Sequence, residues 1–220
     1  MDQHKLKQQL ISKCVEEDAL SFGTFTLKSG RTSPYFFNSG RICSAEALSV
    51  LADSYAQTLL QWGIEFDVLF GPAYKGIALA AMTMVKLADR SDAYNYKKYA
   101  YNRKEKKEHG EGGVLVGASL NSQRVLIIDD VLTSGTAMTE AINIIRQQGG
   151  VVIGAVMALD RQERAKDAEG PSAVAAFAHA QNIQIRAVMT LDDIINCTKD
   201  VSPADKERMV AYRQKYTPTL

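Results

Sequence analysis

Two adjacent carboxylates, Asp129 and Asp130, close an unbroken apolar run, Val125-Leu126-Ile127-Ile128. After Val131-Leu132 comes a loop of small residues and hydroxyls, Thr133-Ser134-Gly135-Thr136, and then a helical pattern from Ala137. Paired carboxylates at the end of a strand can accept hydrogen bonds from vicinal hydroxyls or share Mg²⁺ with substrate oxygens. Backbone N–H groups, hydroxyls and a helix N-terminus in the loop that follows form a phosphate cradle. In that order, acids first and cradle second, the residues suit a ribose 5-phosphate. The stretch is no Walker A motif: Gly71 and Gly76 have the glycine spacing, but Ile77 follows, and there is no GxGxxG. Two solvated acids before a helix would be the bland alternative, weakened by the fully apolar strand they abut. A phospho-accepting receiver domain also pairs strand-end aspartates, but near its N-terminus and without use for the Thr-Ser-Gly-Thr loop.

A second group is set apart by charge. Between 97 and 109 there are six Lys or Arg and two Glu, a net of +4 in a chain whose total is +1, so the rest carries −3. Asn102-Arg103-Lys104-Glu105-Lys106-Lys107-Glu108-His109-Gly110-Glu111-Gly112-Gly113 contains no apolar residue. Most such runs are solvated surface held by Glu–Lys pairs. A long loop without an apolar anchor, ended by glycines, is otherwise functional or disordered.

The elements that must position these groups alternate. Leu6, Leu10, Ile11, Cys14 and Val15 give a helix over 4–20. Extended pieces at 24–27 and 34–40 flank a turn at Lys28-Ser29-Gly30, and Phe36 and Phe37 must point to opposite faces. A helix over 44–61, with Ser44 as its N-cap, leads to a strand at 66–70, a loop at 71–76 and an alanine-rich helix at 77–87. Strands follow at 96–101, 114–118 and 125–128. A helix over 136–148 ends at Gly149-Gly150, and a buried strand covers 151–159. Helix 172–181, strand 183–189 and helices 191–196 and 203–215 complete the chain. Such alternation with near-continuous apolar strands predicts an α/β protein with a mostly parallel central sheet flanked by helices. Residues 1–43 break the pattern and read as an N-terminal helix and small hood, with 44–220 as the core.

Composition narrows the class. A length of 220 residues with 46% hydrophobic and 23% charged residues is ordinary for a globular chain. A net charge of +1 gives no global field for nucleic acid. Cys14, Cys43 and Cys197 form neither a CxxC nor a metal-ligand spacing. With no signal peptide or spanning segment, the expected location is the cytoplasm.

Val125 to Ala137 resembles the phosphoribosyl-pyrophosphate (PRPP) signature of type I phosphoribosyltransferases. Six further blocks, in order, are similar to the orotate phosphoribosyltransferase family: Phe25 to Gly30, Ser33 to Asn38, Phe70 to Gly76, Asn102 to Glu105, His109 to Gly113, and Leu159 to Glu163. The resemblance implies that orotate N1 is joined to C1 of PRPP with Mg²⁺, giving orotidine 5′-monophosphate and pyrophosphate in UMP biosynthesis. It assigns the donor to Asp129, Asp130, Val131, Leu132, Thr133, Ser134, Gly135, Thr136 and Ala137, with Lys28, Tyr74 and Lys75 reaching it as well. It borders orotate with Phe36, Phe37, Thr133 and Arg161. Arg103, Lys104, Lys107 and His109 match a mobile catalytic loop, here 102–113, that closes over the neighbouring subunit's site in a homodimer. These four, with Asp129 and Asp130, form the implied catalytic set. Mg²⁺ would be held mainly by PRPP and water rather than by a dedicated protein cage. The implied partners are two small molecules, not nucleic acid or membrane.

Two alternatives remain at this point. A regulator of the same fold could keep a phosphoribosyl pocket without catalysis, against which stand the basic loop and the lack of an added helix-turn-helix or basic surface. A transferase for another base is the other, against which stand the aromatic hood and Arg161.

Overall fold

Val125, Leu126, Ile127 and Ile128 are all fully buried, which requires protein on both faces of their strand. The structure is a computed structural model that describes residues 3–107, 113–165, 170–197 and 201–218. In it β6 (Arg124–Val131) lies inside a six-stranded sheet. The spatial order is β5 (Gly113–Gly117), β4 (Lys98–Lys107), β3 (Val68–Gly71), β6, β7 (Val151–Asp160) and β8 (Gln184–Thr190). All neighbours are parallel except the edge pair β4 and β5.

Period-two alternation divides the core between the two faces. Leu69, Leu126, Ile128, Val156 and Ala158 pack with residues of α1 (Gln3–Glu16), α2 (Ala45–Trp62), α3 (Lys75–Arg90), α6 (Leu191–Cys197) and α7 (Pro203–Tyr216). Val68, Phe70, Val125, Ile127 and Ala155 pack with α4 (Thr136–Gln147) and with Phe177 of α5 (Ala173–Gln181). Thus α3, which follows β3, and α4, which follows β6, cover opposite faces. The chain leaves β3 towards one edge of the sheet and β6 towards the other. The crevice outside the carboxyl ends of two such strands is the topological switch point, where ligands bind in open α/β sheets.

The hood is an antiparallel hairpin, β1 (Leu20–Thr26) and β2 (Thr32–Phe37), forming a sheet of its own. Its apolar residues do not form a separate core: Leu20, Tyr35 and Phe37 join the cluster that includes Tyr55, Leu126 and Met209. Ser44 caps α2 as the sequence suggests, its Oγ accepting from the Ala47 N–H at 3.2 Å, a contact worth about 1 kcal/mol.

Several element boundaries differ from the sequence reading, and three of them bear on the site. Helix α1 stops at Glu16, so that β1 can begin at Leu20. Helix α3 starts at Lys75, two residues earlier than the apolar pattern. The third difference matters most for function: β4 continues to Lys107, so the first half of the basic stretch is strand rather than loop. It pairs with β5 at Asn102–Leu115 and again at Lys107–Gly113, with an irregularity between. Hydrophobic alternation cannot reveal such an arm, because neither of its faces packs on a core.

Candidate active site

Asp129 and Asp130 end β6 beside the crevice, and short-range contacts fix both. The Asp130 N–H donates to Asp129 Oδ1 at 2.9 Å and the Val131 N–H to Asp130 Oδ1 at 2.8 Å. Tyr55 on α2 donates its hydroxyl to the Asp129 carbonyl at 2.8 Å. Asp130 Oδ2 receives Ser39 Oγ at 2.6 Å and Lys75 Nζ at 2.7 Å. Burial, and next the charge of Asp130, push the Asp129 carboxyl up to about 6, while Lys75 and Lys104 pull it the other way. One of the paired acids is thereby raised towards neutral pH, a pattern frequent at functional sites.

The loop after the crest is open to a ligand. Thr133, Ser134, Thr136 and Ala137 are exposed, and Val131 and Leu132 are half-buried. Gly135 caps α4 with φ +76° and brings no capping side chain of its own, while the Thr136 N–H donates to Ser134 Oγ at 3.5 Å. A Cβ there would also lie 2.8 Å from the Phe177 ring. Ser134 Oγ and Thr136 Oγ1 are 3.0 Å apart. Hydroxyls and N–H groups at a helix N-terminus are the ingredients of a phosphate site.

Across the crevice, the turn from β3 to α3 depends on backbone approach. A Cβ on Gly71 would lie 2.0 Å from the Gly76 carbonyl oxygen, and one on Gly76 2.7 Å from Pro72 Cδ. The Ala73–Tyr74 peptide is cis. Asn102, buried on β4, accepts the Ala73 N–H at 3.0 Å and so ties this turn to the root of the basic arm. The turn presents Tyr74, 74% exposed, and Lys75.

The hood brings some predicted residues together and separates others. Phe36 is 42% exposed and stacks on Phe25 with ring centroids 5.6 Å apart. Phe37 turns the other way into the core. Lys28 is exposed on the hairpin turn and makes no hydrogen bond or ion pair among the described residues. Arg161, at the end of β7, lies over the Tyr35 ring at 4.3 Å. Its Nε donates to Glu163 Oε1 at 2.6 Å and its Nη2 to Ser33 Oγ at 3.0 Å.

The cations of β4 do not share one side. Successive residues on a strand point to opposite faces. Lys104 pairs with Glu140 of its own α4 at 3.6 Å and contributes to the field on its own Asp129. Arg103 reaches the Gly113 carbonyl on β5 at 3.5 Å. The sequence reading gave the whole set to a neighbouring subunit's site, whereas Lys104 stands beside its own crest. Lys107 ends β4 and is described by its backbone alone, and His109 lies outside the described residues.

Among the described residues no group of three His, Cys, Asp or Glu is arranged to hold a metal. The donor set at the crest is two carboxylates, which suits a hard cation that brings most of its oxygen ligands with the substrate. An open cavity of about 900 Å³ lies elsewhere, between the hood and α7, and is lined by Arg31, Ser33, Arg164, Tyr212 and Tyr216 among others, with no residue of the crest or phosphate loop. We take the crevice as the site, because the polar groups converge there.

Sequence reasoning missed Ser39, Tyr55, Asn102, Glu163 and Tyr212 as parts of the site. Ser39 reads locally as a turn residue and Tyr55 as part of an apolar helix face. Only the fold brings Ser39 to Asp130, 91 residues away.

A family model for the phosphoribosyl transferase domain matches residues 42–182. The chain is 47% identical over 212 residues to an orotate phosphoribosyltransferase of Schizosaccharomyces pombe, covering 96% of this chain and 97% of the relative. It is 48% identical to one of Stenotrophomonas maltophilia over 94% and 91% of the two chains. The fold matches a crystal structure of an orotate phosphoribosyltransferase from Francisella tularensis, with a TM-score of 0.82, 40% identity and coverage of 95% and 99%.

Proposed function

Because this chain belongs to the orotate phosphoribosyltransferase family, we propose that the β3–β6 crevice is where it holds PRPP and orotate. It is a glycosyltransferase that moves the phosphoribosyl group of PRPP to N1 of orotate and releases pyrophosphate. The observation that carries the site assignment is the crest itself: two carboxylates on β6 face Lys75 on α3, with the hydroxyl-rich N-terminus of α4 beside them.

In this reading Asp129 and Asp130 accept from the ribose hydroxyls, and residues 131–137 bind the 5′-phosphate through N–H groups and hydroxyls. Tyr74, Lys75 and Lys28 meet the pyrophosphate end. Arg161 offers a guanidinium to the orotate carboxylate, and Phe36 offers a ring face to the base. The exposed Thr133 borders the base from the crest side. Phe37 supports this wall from within the core. Breaking the C1–O bond develops positive charge on ribose and negative charge on pyrophosphate. Arg103, Lys104, Lys107 and His109 offset the negative charge and help to exclude water. Mg²⁺, facing Asp129 and Asp130 and bound chiefly by PRPP and water, would neutralise further pyrophosphate charge.

We further propose a homodimer in which the 102–113 arm serves two sites, Lys104 its own and Lys107 and His109 the partner's. Support comes from the resemblance of the arm's sequence, Asn102 to Glu105 and His109 to Gly113, to the family's loop. A cytoplasmic location is also part of the proposal, supported by the exposed free thiol of Cys43, which suits a reducing compartment. No helix among the described residues is long and apolar enough to cross a membrane. The direct test is loss of orotate absorbance on mixing the protein with orotate, PRPP and Mg²⁺. No turnover from correctly folded protein would sink the assignment.

A further inference from the structure

Arg161 is one of three charged side chains packed together away from the crest. Glu163 Oε1 accepts from Arg161 Nε at 2.6 Å and from the Tyr212 hydroxyl at 2.9 Å. Glu163 Oε2 accepts from Arg31 Nη1 at 3.3 Å, and Arg31 also donates to the carbonyls of Arg164 and Ala165. The side chains of Arg31, Arg161 and Glu163 are only 13%, 14% and 12% exposed. The three elements involved are far apart in sequence: Arg31 enters β2, Arg161 and Glu163 follow β7, and Tyr212 belongs to α7. One carboxylate divided between two guanidiniums leaves Arg161 with positive charge to offer. The bonds to Glu163 and Ser33 use Nε and Nη2, so they fix the plane of the guanidinium while Nη1 takes part in neither.

We infer that Glu163 is a positioning residue for base recognition, aiming Arg161, and that Tyr212 makes the C-terminal helix part of the same device without touching substrate. This rests on the reading of Arg161 as the partner of the orotate carboxylate. A guanidinium fork matches a carboxylate only when its plane is set. Tyr212 also shares a side-chain hydrogen bond with Arg161 itself, so removing its hydroxyl frees one lone pair of Glu163 and loosens both the carboxylate that sets that plane and the guanidinium. The ribose and 5′-phosphate contacts, on β6 and α4, and the Lys75 contact on α3 are untouched.

The experiment compares Tyr212→Phe, Arg161→Gln and the double variant in the full chain, with KM measured separately for orotate and PRPP. Calorimetric binding of orotidine 5′-monophosphate gives the same readout where turnover is slow. Tyr212→Phe should raise the orotate KM roughly fivefold, the scale of one ordinary lost hydrogen bond, and leave the PRPP KM within about twofold. Because Tyr212 acts through Arg161, its effect should vanish in the Arg161→Gln background. Glu163→Gln should shift the orotate KM further in the same direction. A merely structural role would move both KM values together. The inference is overturned by that result, by an unchanged orotate KM in Tyr212→Phe, or by a Tyr212 effect undiminished without Arg161. An Arg161→Gln enzyme with a normal orotate KM would instead overturn the reading of Arg161 itself.

Discussion

Lys75 Nζ lies 2.7 Å from Asp130 Oδ2, so the cation proposed for pyrophosphate and the acid proposed for ribose neutralise each other. Ser39 Oγ meets the same oxygen at 2.6 Å. A donor that engages both groups must share or break this pair while the serine keeps the carboxylate in place. Lys75→Ala should therefore raise the PRPP KM by about 10- to 100-fold, and Ser39→Ala by about threefold. Steady-state kinetics with each substrate varied checks this. An equal rise in the orotate KM would show that neither residue is specific to the donor.

The raised Asp129 carboxyl gives a pH signature. It titrates at about 6 in the folded chain, because burial and then Asp130 disfavour its charge. Unfolded, it returns to an ordinary value near 3.8. A carboxyl raised in this way favours the fold fully below its unfolded value, and that contribution is lost as pH rises through 6. An ionised Asp129 then costs the fold up to about 3 kcal/mol. Asp129→Asn should raise Tm above pH 7, with the gain shrinking to nothing near pH 4, while activity falls sharply. Thermal melts from pH 4 to 8 decide it, and a constant Tm difference across that range would contradict the buried-acid assignment.

Gly71 admits no side chain, since a Cβ would lie 2.0 Å from the Gly76 carbonyl oxygen. Gly71→Ala must push the end of β3 away from the first turn of α3, which begins at Lys75 just after Tyr74. The expected loss is about 1–3 kcal/mol of stability, as for overpacking elsewhere, together with weak PRPP binding. Urea melts and donor titration measure the two effects, and a fully stable, active variant would refute the close approach.

The two arms of the proposed dimer can be separated by mixing inactive chains. Lys107→Ala and Asp129→Asn chains, refolded together, should recover about a quarter of wild-type activity, one sound site in half of the dimers. Lys104→Ala with Asp129→Asn should recover none, because Lys104 and Asp129 belong to the same chain's site. Recovery in the second mixture, or none in the first with heterodimers present, would reverse the arrangement.

Much of this was legible in the sequence, and the parts that were not share a cause. The apolar run before Asp129 predicted a central strand, and the hydroxyl loop after it predicted a helix N-terminus. Both are local signals that burial leaves in every sequence of this kind. Adjacent Phe36 and Phe37 fall on opposite faces as strand geometry demands, one half-covered and one in the core. The β4 extension was hidden because Asn102 to Lys107 has no apolar face to betray its period. The Ser39–Asp130 and Tyr212–Glu163 contacts were hidden for another reason. Both join residues 49 or more positions apart, and no local pattern encodes which partner a hydroxyl will find.

Base selectivity tests the central claim most directly. Pyrophosphate release should be measured side by side with orotate, uracil and hypoxanthine, each with PRPP and Mg²⁺. A site with Arg161 aimed at a carboxylate predicts rapid release with orotate and release at least about a hundredfold slower with the other two, the scale of an unmatched charged contact. Equal or faster release with uracil or hypoxanthine would contradict it.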